Sequence, residues 1–337
     1  LDASGTGLGA PDVTIIGTAT TTAGNNTFSE QNSVGYYLQE QLAWRDRLYV
    51  TGAARPDDNS SFGEDFDVTI YPKASIAWVL SEEPRLTSWM QAIRAEEFKL
   101  RAAWGKAGRA PSPFSAVQTY TIDKTPFGTA SGTTTSVPML RASAFGNPNL
   151  KPETSQEFEV GFDAALLNHR AGIDFTFYSK RTEDLLQSTP AAPSFGFPGN
   201  RQVNLGEVTN RGIELSMFGT PLQLTNFAWD TRINLATNRN RLVSFGIPGR
   251  LREAVPTQPY GAVQEHRPGY PLGGYWARLP QPNADGSPVV VGSTVQLKTD
   301  AEFIGPSMPT REVGFSNTFT FFKNFRAYAL LDYKGGH

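Results

Sequence analysis

The sequence predicts an all-β fold, an antiparallel up-and-down wall of about ten strands with short turns at one end and long loops at the other. Three observations predict it. Apolar residues recur at every second position in many stretches. Connections alternate between tight and long. Aromatic residues gather beside the tight ones.

The alternation is clearest between Asn149 and Met217. Phe158, Val160, Phe162 and Ala164 fall on one face of an extended chain, and Glu157, Glu159, Gly161 and Asp163 on the other. Ile173, Phe175 and Phe177 then oppose Asp174, Thr176 and Tyr178, and Ile213, Leu215 and Met217 oppose Gly212, Glu214 and Ser216. Period-two alternation sends neighbouring side chains to opposite faces of a sheet. Such a sheet suits a soluble sandwich with a dry core. It also suits a membrane barrel with lipid on one side and a wet lumen on the other, although alternation alone favours the sandwich.

The remaining elements follow in order. Residues 1–33, rich in Gly, Thr, Ser and Asn, predict a loop. Strands are predicted over 34–44, 48–55 and 71–80, the first two joined across 45–47. In 81–97, Leu86, Trp89, Met90 and Ile93 recur at helical spacing and predict a helix. Residues 98–105 alternate again, with Lys99 and Arg101 on the polar side. After the central strands, 227–238 places Ile233 and Leu235 opposite Asp230, Arg232 and Asn234. Two last strands, 312–322 and 325–334, meet across 323–324. One register defect stands out, because Glu40 shares a face with Leu38 and Leu42; a bulge, an inward shift or a protein contact is expected there.

The loop rhythm decides between sandwich and barrel. Tight links fall near 45–47, 167–170, 219–226 and 323–324, with the helical link at 81–97. Long ones fall at 56–70, 106–151, 181–204 and 239–311. Soluble domains rarely hold several loops longer than about 15 residues, whereas outer-membrane barrels alternate short and long connections. Trp44, Trp78, Phe98, Phe227, Trp229, Phe322 and Phe325 lie beside the short turns, as an interfacial girdle would. The expected fold is therefore a transmembrane β-barrel segment. Phe158, Val160, Phe162, Ile173, Phe175, Phe177, Leu215, Ile233 and Phe315 are expected to face lipid. Lys99, Arg101, Glu157, Glu159, Asp163, Asp174, Glu214, Asp230 and Arg232 are expected to face the lumen.

Composition narrows the chemistry. The 337 residues carry no cysteine, which removes disulfides and thiolate catalysis. A net charge of −2 gives no argument for a nucleic-acid partner. His169, His266 and His337 are scattered, so no metal or cofactor site is expected. The GTGLGA string at 5–10 has no flanking strand or helix and reads as a flexible loop rather than a phosphate cradle. Asp57, Asp58, Glu64, Asp65 and Asp67 crowd one stretch without the spacing of an EF-hand, as a solvated acidic loop does. Carboxylates recur through several strands with no single acid in an apolar pocket, which fits a wet lining better than a glycosidase pair. Tyr260, Tyr270, Tyr275 and Trp276 lie among Gly and Pro in the longest loop. They suit either a ligand platform at the outer rim or the packing of the loop onto itself.

Several stretches resemble the SusC/RagA type of TonB-dependent outer-membrane receptor. They are RDRLYVTGAARPDDNSSFGED, YPKASIAWVLSEEP, FKLRAAWGKAGRAP, NPNLKPETSQEFEVGFD, NLGEVTNRGIELSM and AEFIGPSMPTREVGFSNTFTFFKNFRAYALLDYKGG. Together they cover most of 34–334 in family order. The resemblance implies a non-enzymatic outer-membrane importer of oligosaccharides or peptides, driven through TonB and paired with a SusD-like surface lipoprotein. It also implies that residues 1–337 are part of a larger barrel, without the family's plug and without its last strands. An extracellular all-β binding or structural module, fibre- or adhesin-like, is the alternative of a different class.

Overall fold

Ten passes of chain, each hydrogen-bonded to the next in sequence, build one antiparallel sheet in the computed structural model of the protein. The structure describes residues 2–6, 21–25, 29–64, 68–128, 134–192, 194, 196–197, 199–254 and 263–337. In chain order the passes are β1 (Ser33–Gly35 and Leu38–Trp44), β2 (Leu48–Asn59), β3 (Thr69–Val79), β4 (Ala95–Arg109) and β5 (Glu153–Leu166), then β6 (Ala171–Glu183), β7 (Glu207–Leu224), β8 (Phe227–Thr237 and Arg239–Ser244), β9 (Arg311–Phe321) and β10 (Phe325–Gly335). The two halves of β1 keep one register on β2, and the two halves of β8 flank Asn238.

The register turns the sequence alternation into rows that cross the whole wall. One apolar row runs Trp44, Leu48, Trp78, Leu100, Phe162, Phe175, Leu215, Leu235, Val313 and Tyr333. Its neighbour runs Leu42, Val50, Ile76, Ala102, Val160, Phe177 and Ile213. Phe162 stacks between Phe98 and Phe175, at 5.7 and 5.6 Å between ring centroids. No second sheet covers this face among the described residues, and Phe158 and Val160 stay more than 40% exposed. A soluble fold would have hidden them.

All the short turns share one rim. Arg45 and Asp46, and again Phe322 and Lys323, take left-handed backbone, which matches the twist of a tight hairpin. Trp44, Phe322 and Phe325 stand exposed there. The strands reach further into the other rim than the sequence predicts. The expected loops 56–70, 106–151, 181–204 and 239–311 each surrender several residues to β2–β8, and β7 alone has 18 residues. Asp57 and Asp58 therefore lie in a strand, not an acidic loop, and Asp57 accepts from Arg55 Nε at 2.6 Å. Asp65 and Asp67 lie outside the described residues.

Three other expectations are corrected. The helix over 81–97 shrinks to α1 (Thr87–Ala92), because Pro84 starts a separate short turn and Arg94 adopts positive φ just before β4. Residues 1–33 contain a paired two-stranded element, Asp2–Thr6 with Thr21–Asn25. Glu40 sits in an unbroken register opposite Gly52 on the apolar face, with no bulge.

Side-chain cores lie at the long-loop rim rather than in the wall. Leu150, Pro111 and Pro152 are fully buried there, and Gly63 N–H donates to Leu150 O at 2.8 Å. A Cβ on Gly63 would come within 1.8 Å of the Pro148 carbonyl oxygen, so only glycine permits this approach. The contact joins the SSFG stretch of one loop to the NPNL stretch of another. A second core joins Val208, Leu242 and Phe245.

Candidate functional site

The polar rows share the other face of the wall and line it. Lys99, Asp163, Asp174, Ser216, Asn234, Gly314 and Asp332 form one row, and Arg101, Gly161, Thr176, Glu214, Ala236, Glu312 and Lys334 form the next. A concavity of about 760 Å³ opens over them, lined by Arg101, Glu157, Glu159, Glu214, Glu312 and Asp332 among others. A second, of about 520 Å³, opens on the same face over Thr51, Lys73, Ser75 and Lys180.

Arg101 ties three strands together. Its Nε donates to Asp163 Oδ1 at 3.2 Å, and its Nη2 donates to Asp174 Oδ1 at 2.8 Å and to Thr176 Oγ1 at 2.6 Å. Lys99 Nζ holds the other Asp163 oxygen at 2.6 Å. Gly161 makes room for this. A Cβ there would lie 3.2 Å from the guanidinium carbon and 2.2 Å from the Phe175 carbonyl oxygen. Charge-assisted bonds of this kind fix geometry as well as add energy. The strut cross-links β4, β5 and β6 on this face.

The structure brings most of the sequence-predicted polar residues onto this face and separates a few. Glu157 is 3.8 Å from Lys180 Nζ. Glu159 and Glu214 project into the main concavity. Asp230 and Arg232 sit nearer the short-turn rim, where Asp230 accepts from Thr220 Oγ1 at 2.6 Å and Arg232 lies over the Phe218 ring at 5.0 Å. Glu312 and Asp332 belong to the same lining although the sequence reading did not select them. The alternation of EVGFSNTFTFF and FRAYALLDYK carries that signal. No group of acidic residues or histidines able to hold a metal occurs among the described residues.

The aromatic loop divides. Trp276 is buried at 6% exposure, packed edge-on against Tyr270 at 4.7 Å and tilted on Phe303 at 5.4 Å. Arg267 covers its other side, its guanidinium carbon 3.6 Å from a ring centroid. Trp276 is thus core of a small sheet, Glu253–Ala254, Gln264–His266, Gly274–Ala277 and Glu302–Gly305, not an exposed platform. Tyr275 and part of Tyr270 remain exposed. Tyr260 lies outside the described residues.

A family model described as TonB dependent receptor-like, beta-barrel matches residues 3–336. TonB-dependent receptor P26 of Formosa agariphila is 29% identical over 309 residues, covering 85% of this chain and 30% of that protein. TonB-dependent receptor SusC of Bacteroides thetaiotaomicron is 27% identical over 216 residues, covering 62% of this chain and 20% of that protein. The RagAB peptide importer in its closed-closed state superposes with a TM-score of 0.78 over 97% of this chain and 36% of that one, at 19% identity, which is a likeness of fold. The chain thus spans about a fifth to a third of the curated relatives it matches.

Proposed function

This chain belongs to the TonB-dependent receptor family of outer-membrane β-barrels, and from that premise we propose that it is wall of a SusC-type importer for oligosaccharides or peptides. The observation that carries this reading is the two-faced wall. A predominantly apolar face suits the acyl chains of the outer membrane, and the concave opposite face suits a hydrated lumen. Lys99, Arg101, Glu157, Glu159, Asp163, Asp174, Glu214, Asp230 and Arg232 are then lumen-facing, and outer-membrane lipid is the partner of the other side. The family is one of receptors and transporters rather than enzymes.

Substrate chemistry follows from the lining. Carboxylates outnumber cations around the main concavity, six to one, and the hydroxyls and amides among them offer the donors and acceptors that neutral sugars and peptide backbones require. TonB supplies the energy through a plug outside the 337 residues, and a SusD-like lipoprotein covers the long-loop rim, where Tyr270 and Tyr275 meet it or the ligand. The reading extends to the domain assignment, in which the whole chain is part of one barrel.

Uptake tests this. Cells carrying the full receptor are given labelled neutral oligosaccharides and labelled peptides, with and without collapse of the proton gradient. Import of one class that stops on collapse is expected, together with co-purification of a surface lipoprotein. Failure to import either class, or import indifferent to the gradient, would overturn it.

A further inference from the structure

The apolar face ends abruptly toward the long-loop rim. Along β6 the outward residues run Phe177, Ser179 and Arg181; along β7, Ile213, Arg211 and Thr209; along β8, Leu235, Thr237, Arg239 and Arg241; and along β9, Val313 and then Arg311. Pairing brings these arginines together. Arg211 stands directly opposite Arg239, Thr209 opposite both Arg181 and Arg241, and Thr237 opposite Arg311. Five guanidinium groups thus cover four adjacent strands.

Like charges directly opposite across a sheet destabilise it unless something neutralises them. Arg181 has carboxylate partners in Glu183 and Glu207. Arg211, Arg239, Arg241 and Arg311 are exposed and have no ion pair among the described residues. Their height is informative. The 11 residues of Phe227–Thr237 climb roughly 25 Å of membrane normal at the usual strand tilt, about the height of the apolar band. Arg239 is the next outward residue beyond it. It therefore lies at the level of headgroups, within reach of phosphate oxygens, whose geometry suits guanidinium.

We propose that Arg211, Arg239, Arg241 and Arg311 form a docking surface for phosphate-bearing lipid headgroups of the outer leaflet. The inference rests on the lipid-facing assignment of the wall and not on the transported substrate. The anion would relieve the Arg211–Arg239 repulsion and seat β6–β9 at a fixed depth.

The full receptor, delipidated in detergent, is offered mixed micelles containing phosphorylated lipid A or its dephosphorylated form, and retained lipid is counted by mass spectrometry. Wild type should retain the phosphorylated form, and retention should fall about fivefold for each arginine replaced in Arg211→Gln, Arg239→Gln and Arg241→Gln, as expected for a cation near an anionic surface. The matching Lys replacements should keep it, and Arg278→Gln with Lys298→Gln, in the loop, should change nothing. Heat-dependent gel mobility checks that each variant is folded, and the Lys set keeps the test decisive if the Gln set is not. Equal retention of both lipids, or loss in the Lys set equal to that in the Gln set, would overturn the proposal. So would displacement by excess inorganic phosphate, which marks a small-anion site, or loss of a bound lipoprotein with lipid unchanged, which marks a protein interface.

Discussion

The indole Nε1–H of Trp229 donates a 2.9 Å hydrogen bond to Oδ1 of Asn317 on the neighbouring strand, and both residues belong to the apolar face of the wall. An amide facing acyl chains finds no water there, so an unpaired one is costly. Here the indole N–H and the amide oxygen satisfy each other, and Asn317 is 7% exposed. Asn317→Leu should therefore cost about 1–2 kcal/mol despite adding apolar surface, because the indole N–H loses its acceptor. Urea titration of the receptor in vesicles measures it. Combined with Trp229→Phe, the loss should be less than the sum; strict additivity would mean the bond contributes nothing.

Phe175→Arg places a charge in the row between Phe162 and Leu215. The expected cost is roughly 2–4 kcal/mol near midplane. Asp332→Arg, on the polar row beside Gly314, should cost well under half of that. Thr176→Arg is a poor comparison, because Thr176 is buried against Arg101. Equal costs for Phe175→Arg and Asp332→Arg in a folding titration would contradict the assignment of faces.

Gly63→Ala should separate the two loops that meet at Leu150. The new methyl would meet the Pro148 carbonyl at 1.8 Å, so backbone must move, at about 1–3 kcal/mol. Gly52→Ala, with nothing within 4 Å, serves as control. Protease susceptibility of the long-loop rim should rise for the first variant alone.

The loop that holds His266 should respond to acid. Gly273 N–H donates to its Nδ1 at 2.9 Å, which requires a neutral nitrogen. Burial holds the imidazole pKa below its ordinary value, with the Glu253 carboxylate pulling weakly the other way. The folded state thus binds a proton less readily than the unfolded one. This contribution to stability is complete above the unfolded value of about 6.5 and is lost as pH falls through the lower folded value. Amide exchange in Gly274–Ala277 should quicken on acidification, and His266→Asn should remove that dependence. An unchanged pH profile in the variant would sink the assignment.

What the sequence made legible was periodic. Phe158, Phe175 and Leu215 announce their face because side chains alternate at every residue, whatever the partner strand. Strand ends were harder. Asp57, Arg239 and Arg241 look like loop residues, since a strand that rises beyond lipid into water no longer needs apolar side chains. Glu40 misled for a related reason, its strand keeping register through backbone pairing with β2. Contacts between loops were invisible. Nothing local in SSFG says that Gly63 will touch Leu150, and nothing near Trp276 says that Phe303 will cover it. Both depend on chain segments far apart in sequence.

The 18 residues of β7 have one more consequence. Eighteen extended residues climb roughly 40 Å at the usual tilt, and the bilayer uses only about 25 Å of that. Roughly 15 Å of hydrogen-bonded sheet therefore stands proud of the membrane as a palisade. A solute drifting along the cell surface meets this fence side-on and is turned away. In the importer proposed above, only one arriving from above would find the mouth, so whatever caps the palisade would govern entry.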